Sequence, residues 1–89
     1  DSVRFYRFPE SGSGTLTVNM TGSQIGAEST IIITGVTAGH TLTLSASGYT
    51  FIQKPGSTFP GGGTFANSGI CVIKLKYIGA TYILAEYSN

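Results

Sequence analysis

Few side chains in this 89-residue chain could do covalent or proton-transfer chemistry, and their spacing argues against it. His40 is the single histidine, Cys71 the single cysteine and Asp1 the single aspartate. A Ser-His-Asp relay needs an imidazole held between a hydroxyl and a buried carboxylate. His40 would have to recruit Asp1 from a chain end, where position is hard to hold. Glycoside hydrolysis needs two carboxyls about 5 to 10 Å apart, and nothing in the contexts of Glu10, Glu28 and Glu86 pairs any two of them. Zinc needs further His or Cys ligands at short spacing, and none accompanies His40. A solvated loop histidine is the plain reading, and a metal role would require symmetry copies of His40 from sister chains to converge on one ion. Cys71 shares a strand face with Ile73 and Leu75 and reads as an inert buried thiol. The glycines Gly61 to Gly63 lack the Lys-Ser/Thr and the helix that complete a phosphate loop. Asn19-Met20-Thr21 matches a glycosylation sequon, but an ordinary exposed Asn explains it equally. No enzyme and no cofactor is expected.

Binding is the better prospect. The stretch Lys54 to Ser68, KPGSTFPGGGTFANS, holds too many Gly and Pro residues to keep a ladder and reads as a loop. Loops on a rigid scaffold commonly carry recognition, and Phe59 and Phe65 offer flat apolar faces to a sugar ring or a protein pocket. Lys54 opens this loop, while Tyr49 and Asn67 supply a phenol and an amide suited to carbohydrate hydroxyls. The competing reading is that both Phe rings fold back to close the core.

The elements that must position these residues are strands. Gly14 to Met20 and Thr41 to Ala46 alternate apolar and polar at period two, as half-buried strands do. Ser29 to Thr34 contains three consecutive isoleucines, whose Cβ branching favours strand. Tyr49 to Gln53 adds a short strand, and no helical periodicity is sustained anywhere. Val3 to Phe8 reads as an N-terminal strand or arm, followed by a turn or linker, so residues 1–13 are set apart from a single head domain at 14–89. The expected class is all-β: a small antiparallel sandwich or barrel-like domain of seven or eight strands.

Charge excludes some partners. Five basic and four acidic residues leave a net charge of +1, without the clustered Lys and Arg of a nucleic-acid footprint. Arg4 and Arg7 fall on opposite strand faces. Lys74 and Lys76 share one, which reads as an exposed or edge-protecting surface. No apolar run approaches the ~18 residues of a membrane span and nothing resembles a signal peptide. The start at Asp1 suggests a fragment or processed product.

The last two runs, ICVIKLKY and TYILAEY around Gly79, read as a hairpin with apolar groups on both faces. One face then needs a second cover, and in so short a chain that cover is expected from another copy. Ile73, Leu75, Tyr77, Ile83 and Leu84 are the expected oligomer interface, with folding and assembly as one event.

Gly22 to Ile33, Thr41 to Ile52 and above all Val72 to Ala85 (VIKLKYIGATYILA) resemble the C-terminal head or tip domains of bacteriophage tail fibres and tailspikes. The shared pattern is a Thr- and Gly-rich strand series ending in an apolar-x-Leu-x-Tyr/Val-x-Gly-x-Thr-Tyr/Trp-x-Leu hairpin. It spans roughly residues 14 to 87, with Tyr82 where such hairpins often carry Trp. The resemblance implies an intertwined or side-by-side homotrimer at a fibre tip on the virion. It would act outside the cell, binding a host-surface glycan or protein. Two other readings stand beside it: a structural trimerisation clamp or capsid decoration module without a receptor, and a bacterial adhesin-like β-domain.

Overall fold

A computed structural model describes residues 2–9, 12–18, 24–54 and 63–89. The chain is all-β: β1 Ser2–Arg7, β2 Ser13–Thr17, β3 Glu28–Val36, β4 Thr41–Ser45, β5 Thr50–Gln53, β6 Gly69–Gly79 and β7 Tyr82–Ser88. They form a five-stranded sheet in the order β1-β3-β6-β7-β5 and a two-stranded sheet of β2 and β4. The antiparallel expectation needs correcting. β3 with β6 and β6 with β7 are antiparallel, but β1 with β3, β2 with β4 and β5 with β7 are parallel. Each parallel pair is separated in sequence by another element, which removes the constraint that a tight hairpin imposes.

Alternation aims the side chains. Along β6, Cys71, Ile73 and Leu75 are buried while Lys74 and Lys76 are exposed, and along β7, Ile83, Ala85 and Tyr87 are buried. Ile31 and Ile33 join them from β3, directly opposite Ile73 and Cys71. The smaller sheet closes over this floor with Leu16 and Leu42, and the core also takes in Phe8, Val18, Val36, Ala46 and Phe65. Phe65 meets Phe8 edge-on at 5.1 Å between centroids, and Tyr49 meets Tyr77 likewise at 5.8 Å.

The expectation that the terminal hairpin requires a sister subunit for this face is therefore corrected. Ile73, Leu75 and Ile83 are at most 1% exposed within the single chain. Tyr77 is half-buried against the same core. The hairpin's inner face is covered by its own polypeptide, because β2 and β4 form a separate sheet that folds across it. Of the expected interface residues, Leu84 alone points to the other side of the sheet.

Two backbone sites hold the arrangement in register. The Leu42 amide donates to the Gly63 carbonyl at 2.6 Å, and with a φ of 89° and no Cβ, Gly63 can lie directly against the Leu42 carbonyl. At the β6–β7 turn, Ala80 and Thr81 both have positive φ, 52° and 65°, between the paired residues Gly79 and Tyr82. A two-residue hairpin of primed type demands this, and a β-branched residue adopts it at a cost. β1, set apart by sequence as an arm, is the edge strand of the larger sheet, and Phe8 just beyond it is core.

Candidate functional site

Because the inner face of the five-stranded sheet is occupied, its outer face is the side of that sheet left open to a partner. The register assembles that face row by row. Phe5, Ile32 and Val72 lie across β1, β3 and β6; Val3, Thr30, Lys74 and Glu86 form the next row, reaching β7. Glu28, Lys76, Leu84 and Ile52 form the third, ending on β5. Exposed apolar residues flank this face, Val3 (62% exposed) and Phe5 (72%) on β1 and Ile52 (39%) and Tyr82 (43%) on the β5–β7 side, and Ile70 and Ile78 are exposed near the two ends of the central β6. Charge occupies the centre.

That centre is a shallow depression of about 220 Å³ lined by Glu28, Lys54, Lys74, Lys76, Leu84 and Glu86, and it borders Leu75, whose side chain turns into the core between the two lysines. Five of the chain's nine ionised side chains meet there. Lys54 Nζ lies 3.4 Å from Glu86 Oε2 in a pair that is about half exposed on each side, so water screens it and it adds little stability. Among the described residues neither Lys74 nor Lys76 joins an ion pair, although Lys74 is in register with Glu86 and Lys76 with Glu28. Their strand spacing sets their Cα atoms about 6.6 Å apart. The edge-protecting reading of these lysines is corrected by topology: β6 is the central strand.

The expected receptor loop fares differently. Phe65 is 2% exposed and belongs to the core, so the fold-back reading holds for that ring and its receptor role does not. Its amide donates to the His40 carbonyl at 3.0 Å and its carbonyl accepts from the Gly39 amide at 2.9 Å, which draws the loop inward. Phe59 lies outside the described residues, as do Asp1, Glu10 and Asn19. Tyr49 is half-buried beside Tyr77.

Asn67 is exposed but committed to a clasp with Asn89. Asn89 Oδ1 accepts from the Ala66 and Asn67 amides at 2.9 and 3.0 Å. Asn67 Nδ2 donates to the Asn89 carbonyl at 3.3 Å, and Asn89 Nδ2 donates to the Asn67 and Ile70 carbonyls, each at 3.1 Å. Asn67 therefore ties down Asn89, just past β7, rather than presenting a free amide to a sugar.

Of the predicted binding residues that are described, Lys54 alone lines the central depression. His40 is half-buried, stacked on Phe8 at 6.0 Å, and its Nδ1 is enclosed without a partner among the described residues. Burial pushes the Cys71 thiol up to about 11, so the thiolate a nucleophile needs is suppressed. Glu28, Lys74, Lys76 and Glu86 are visible in the sequence as charges in a charge-poor chain, but their convergence depends on the pairing of Glu28 with Lys76 from the far half of the chain. No family model, curated protein or solved structure matches this chain.

Proposed function

We propose that this chain is a non-catalytic assembly and attachment module of the kind found at bacteriophage fibre and tailspike tips, its copies set side by side in a homotrimer that engages a host-surface glycan or protein. The observation that carries the assembly is the exposed apolar surface around one sheet face, with unlike patches on its two flanks. Val3 and Phe5 form one, and Ile52 and Tyr82 the other. Exposed apolar patches mark interaction surfaces, and two different patches on opposite edges suit a head-to-tail contact that closes into a ring. The threefold number and the virion setting come from the resemblance. The burial of Phe65 favours a second reading, a structural clamp without a receptor, because it removes one aromatic ring from the loop expected to make contact.

Sedimentation tests the assembly. The wild-type chain should sediment as a trimer, and the double variant Phe5→Ser, Ile52→Ser as a folded monomer with an unchanged circular dichroism spectrum. A monomeric wild type at high micromolar concentration rejects the assembly. Cell binding by an intact trimer separates attachment from a clamp.

A further inference from the structure

We infer that the depression between β3, β6, β7 and β5 binds the carboxylate of an acidic monosaccharide unit, a hexuronate. This inference deepens the attachment reading and rests on it only for the choice of a glycan. The first ground is the distribution of charge. A chain with nine ionised side chains places five of them around one depression, three cationic and two anionic. Pairing uses little of this charge: a single screened ion pair joins the five among the described residues, and Lys74 and Lys76 lie in register with Glu86 and Glu28 without closing on them. Lys74 and Lys76 project from alternate positions of a central strand, and their flexible ammonium groups can converge on one carboxylate in charge-assisted hydrogen bonds.

The two carboxylates select what accompanies that anion. Glu86 and Glu28 repel a second negative group nearby and accept hydrogen bonds from hydroxyls. A polyphosphate or nucleic-acid strand, with an anion at every unit, would meet them unfavourably. A body carrying one carboxylate and several hydroxyls satisfies both signs of charge, while Leu84 offers an apolar surface to the C–H face of a sugar ring. The volume of about 220 Å³ lies below the ~300 to 1,000 Å³ of pockets for drug-sized ligands, consistent with one ring rather than a longer segment.

The test is an amide chemical-shift titration of the intact chain with galacturonate, galactose and inorganic phosphate. Galacturonate should give saturable shifts centred on Lys74, Lys76, Leu84 and Glu86, with galactose and phosphate at least about tenfold weaker. Lys74→Met, Lys76→Met keeps the aliphatic stems on exposed positions, and should weaken galacturonate by about tenfold or more while leaving the melting temperature in place. Equal responses to phosphate would reduce the site to a nonspecific anion patch and overturn the inference, as would equal responses to galactose, an unchanged double variant or no saturable shift. Sedimentation of the same samples reports assembly independently, so an intact oligomer that ignores galacturonate sinks this site alone.

Discussion

The two faces of the five-stranded sheet are built from the same strands and have opposite fates. On β6, Cys71, Ile73 and Leu75 face a core closed by the smaller sheet, whereas Val72, Lys74 and Lys76, interleaved with them, face outward. The inner face shows how a small domain stabilises itself. The outer face retains exposed Phe5, Val3 and Ile52 around a charged centre, which folding alone does not require. Where the whole chain is short of both buried volume and charge, the face that commits neither to the core is the one to examine for binding.

The same charge placed on each face should separate the two most strongly. Leu75→Asp puts an unpaired carboxylate into a site that is 1% exposed and should cost more than about 4 kcal/mol, enough to abolish the thermal transition. The loss would be of the monomer's fold and not only of assembly. Lys74→Asp, one residue earlier, sets a like charge across from Glu86 and should still cost no more than about 1 kcal/mol. Circular dichroism melts decide the matter: a folded, monomeric Leu75→Asp chain would show that its inner face is not the core.

The seam between the two sheets is the next target. A Cβ at position 63 would strike the Leu42 carbonyl oxygen, and the φ of 89° is strained for any L side chain. Gly63→Ala should therefore cost about 2 to 4 kcal/mol, read as a lower urea midpoint. An unchanged midpoint would mean that the closure over Ile73 and Leu75 does not depend on that backbone contact.

High pH probes the inner face without changing a residue. Burial raises the Cys71 thiol from its usual 9.0 to about 11. Burial, and then the charge of Cys71, raises the Tyr87 hydroxyl above 10.0. In the unfolded chain the thiol loses its proton near its ordinary value, while the folded chain retains it, so the unfolded state binds fewer protons and stability falls with rising pH. For Cys71 the loss runs between about pH 9 and pH 11 and amounts to at most about 3 kcal/mol. Urea unfolding across that window should show a steeper decline for wild type than for Cys71→Ala. Identical slopes would remove the thiol as the cause.

The two faces also differ in how much of each is legible from residues taken in order. Thr41–Ser45 is visible because Leu42 and Leu44 alternate with threonines, and the inward set Cys71, Ile73, Leu75 follows from the same period. The burial of Phe65 is hidden, since Gly and Pro around it announce a loop and only the pairing of Gly63 with Leu42 and of Phe65 with His40 draws that loop inward. β1 looks like a detachable arm because its parallel partner, β3, lies beyond β2 in the chain. The outer depression is hidden for the same reason. Lys74 and Lys76 lie close together in the chain, but Glu28 and Glu86 join them through register on both sides of β6, and Lys54 is brought in by β5. Local pattern reveals which way a side chain points, and long-range pairing decides what it meets.

The smallest effect concerns the turn that sets that register. Ala80 and Thr81 occupy positive φ between Gly79 and Tyr82, a conformation that Asn and Gly adopt with less strain. The double substitution Ala80→Asn, Thr81→Gly removes a β-branched residue from a conformation that costs it about 1 to 3 kcal/mol. The added freedom of Gly in the unfolded chain offsets part of that gain, leaving a net stabilisation of about 1 kcal/mol. The urea midpoint should rise while the cross-strand proximities of Leu75 to Ala85 and Lys74 to Glu86, observed by nuclear Overhauser effects, stay as they are. A shifted register would exchange the inner and outer sets of β7, moving Ala85 and Tyr87 outward and Leu84 and Glu86 inward. The core and the charged depression would then be lost together.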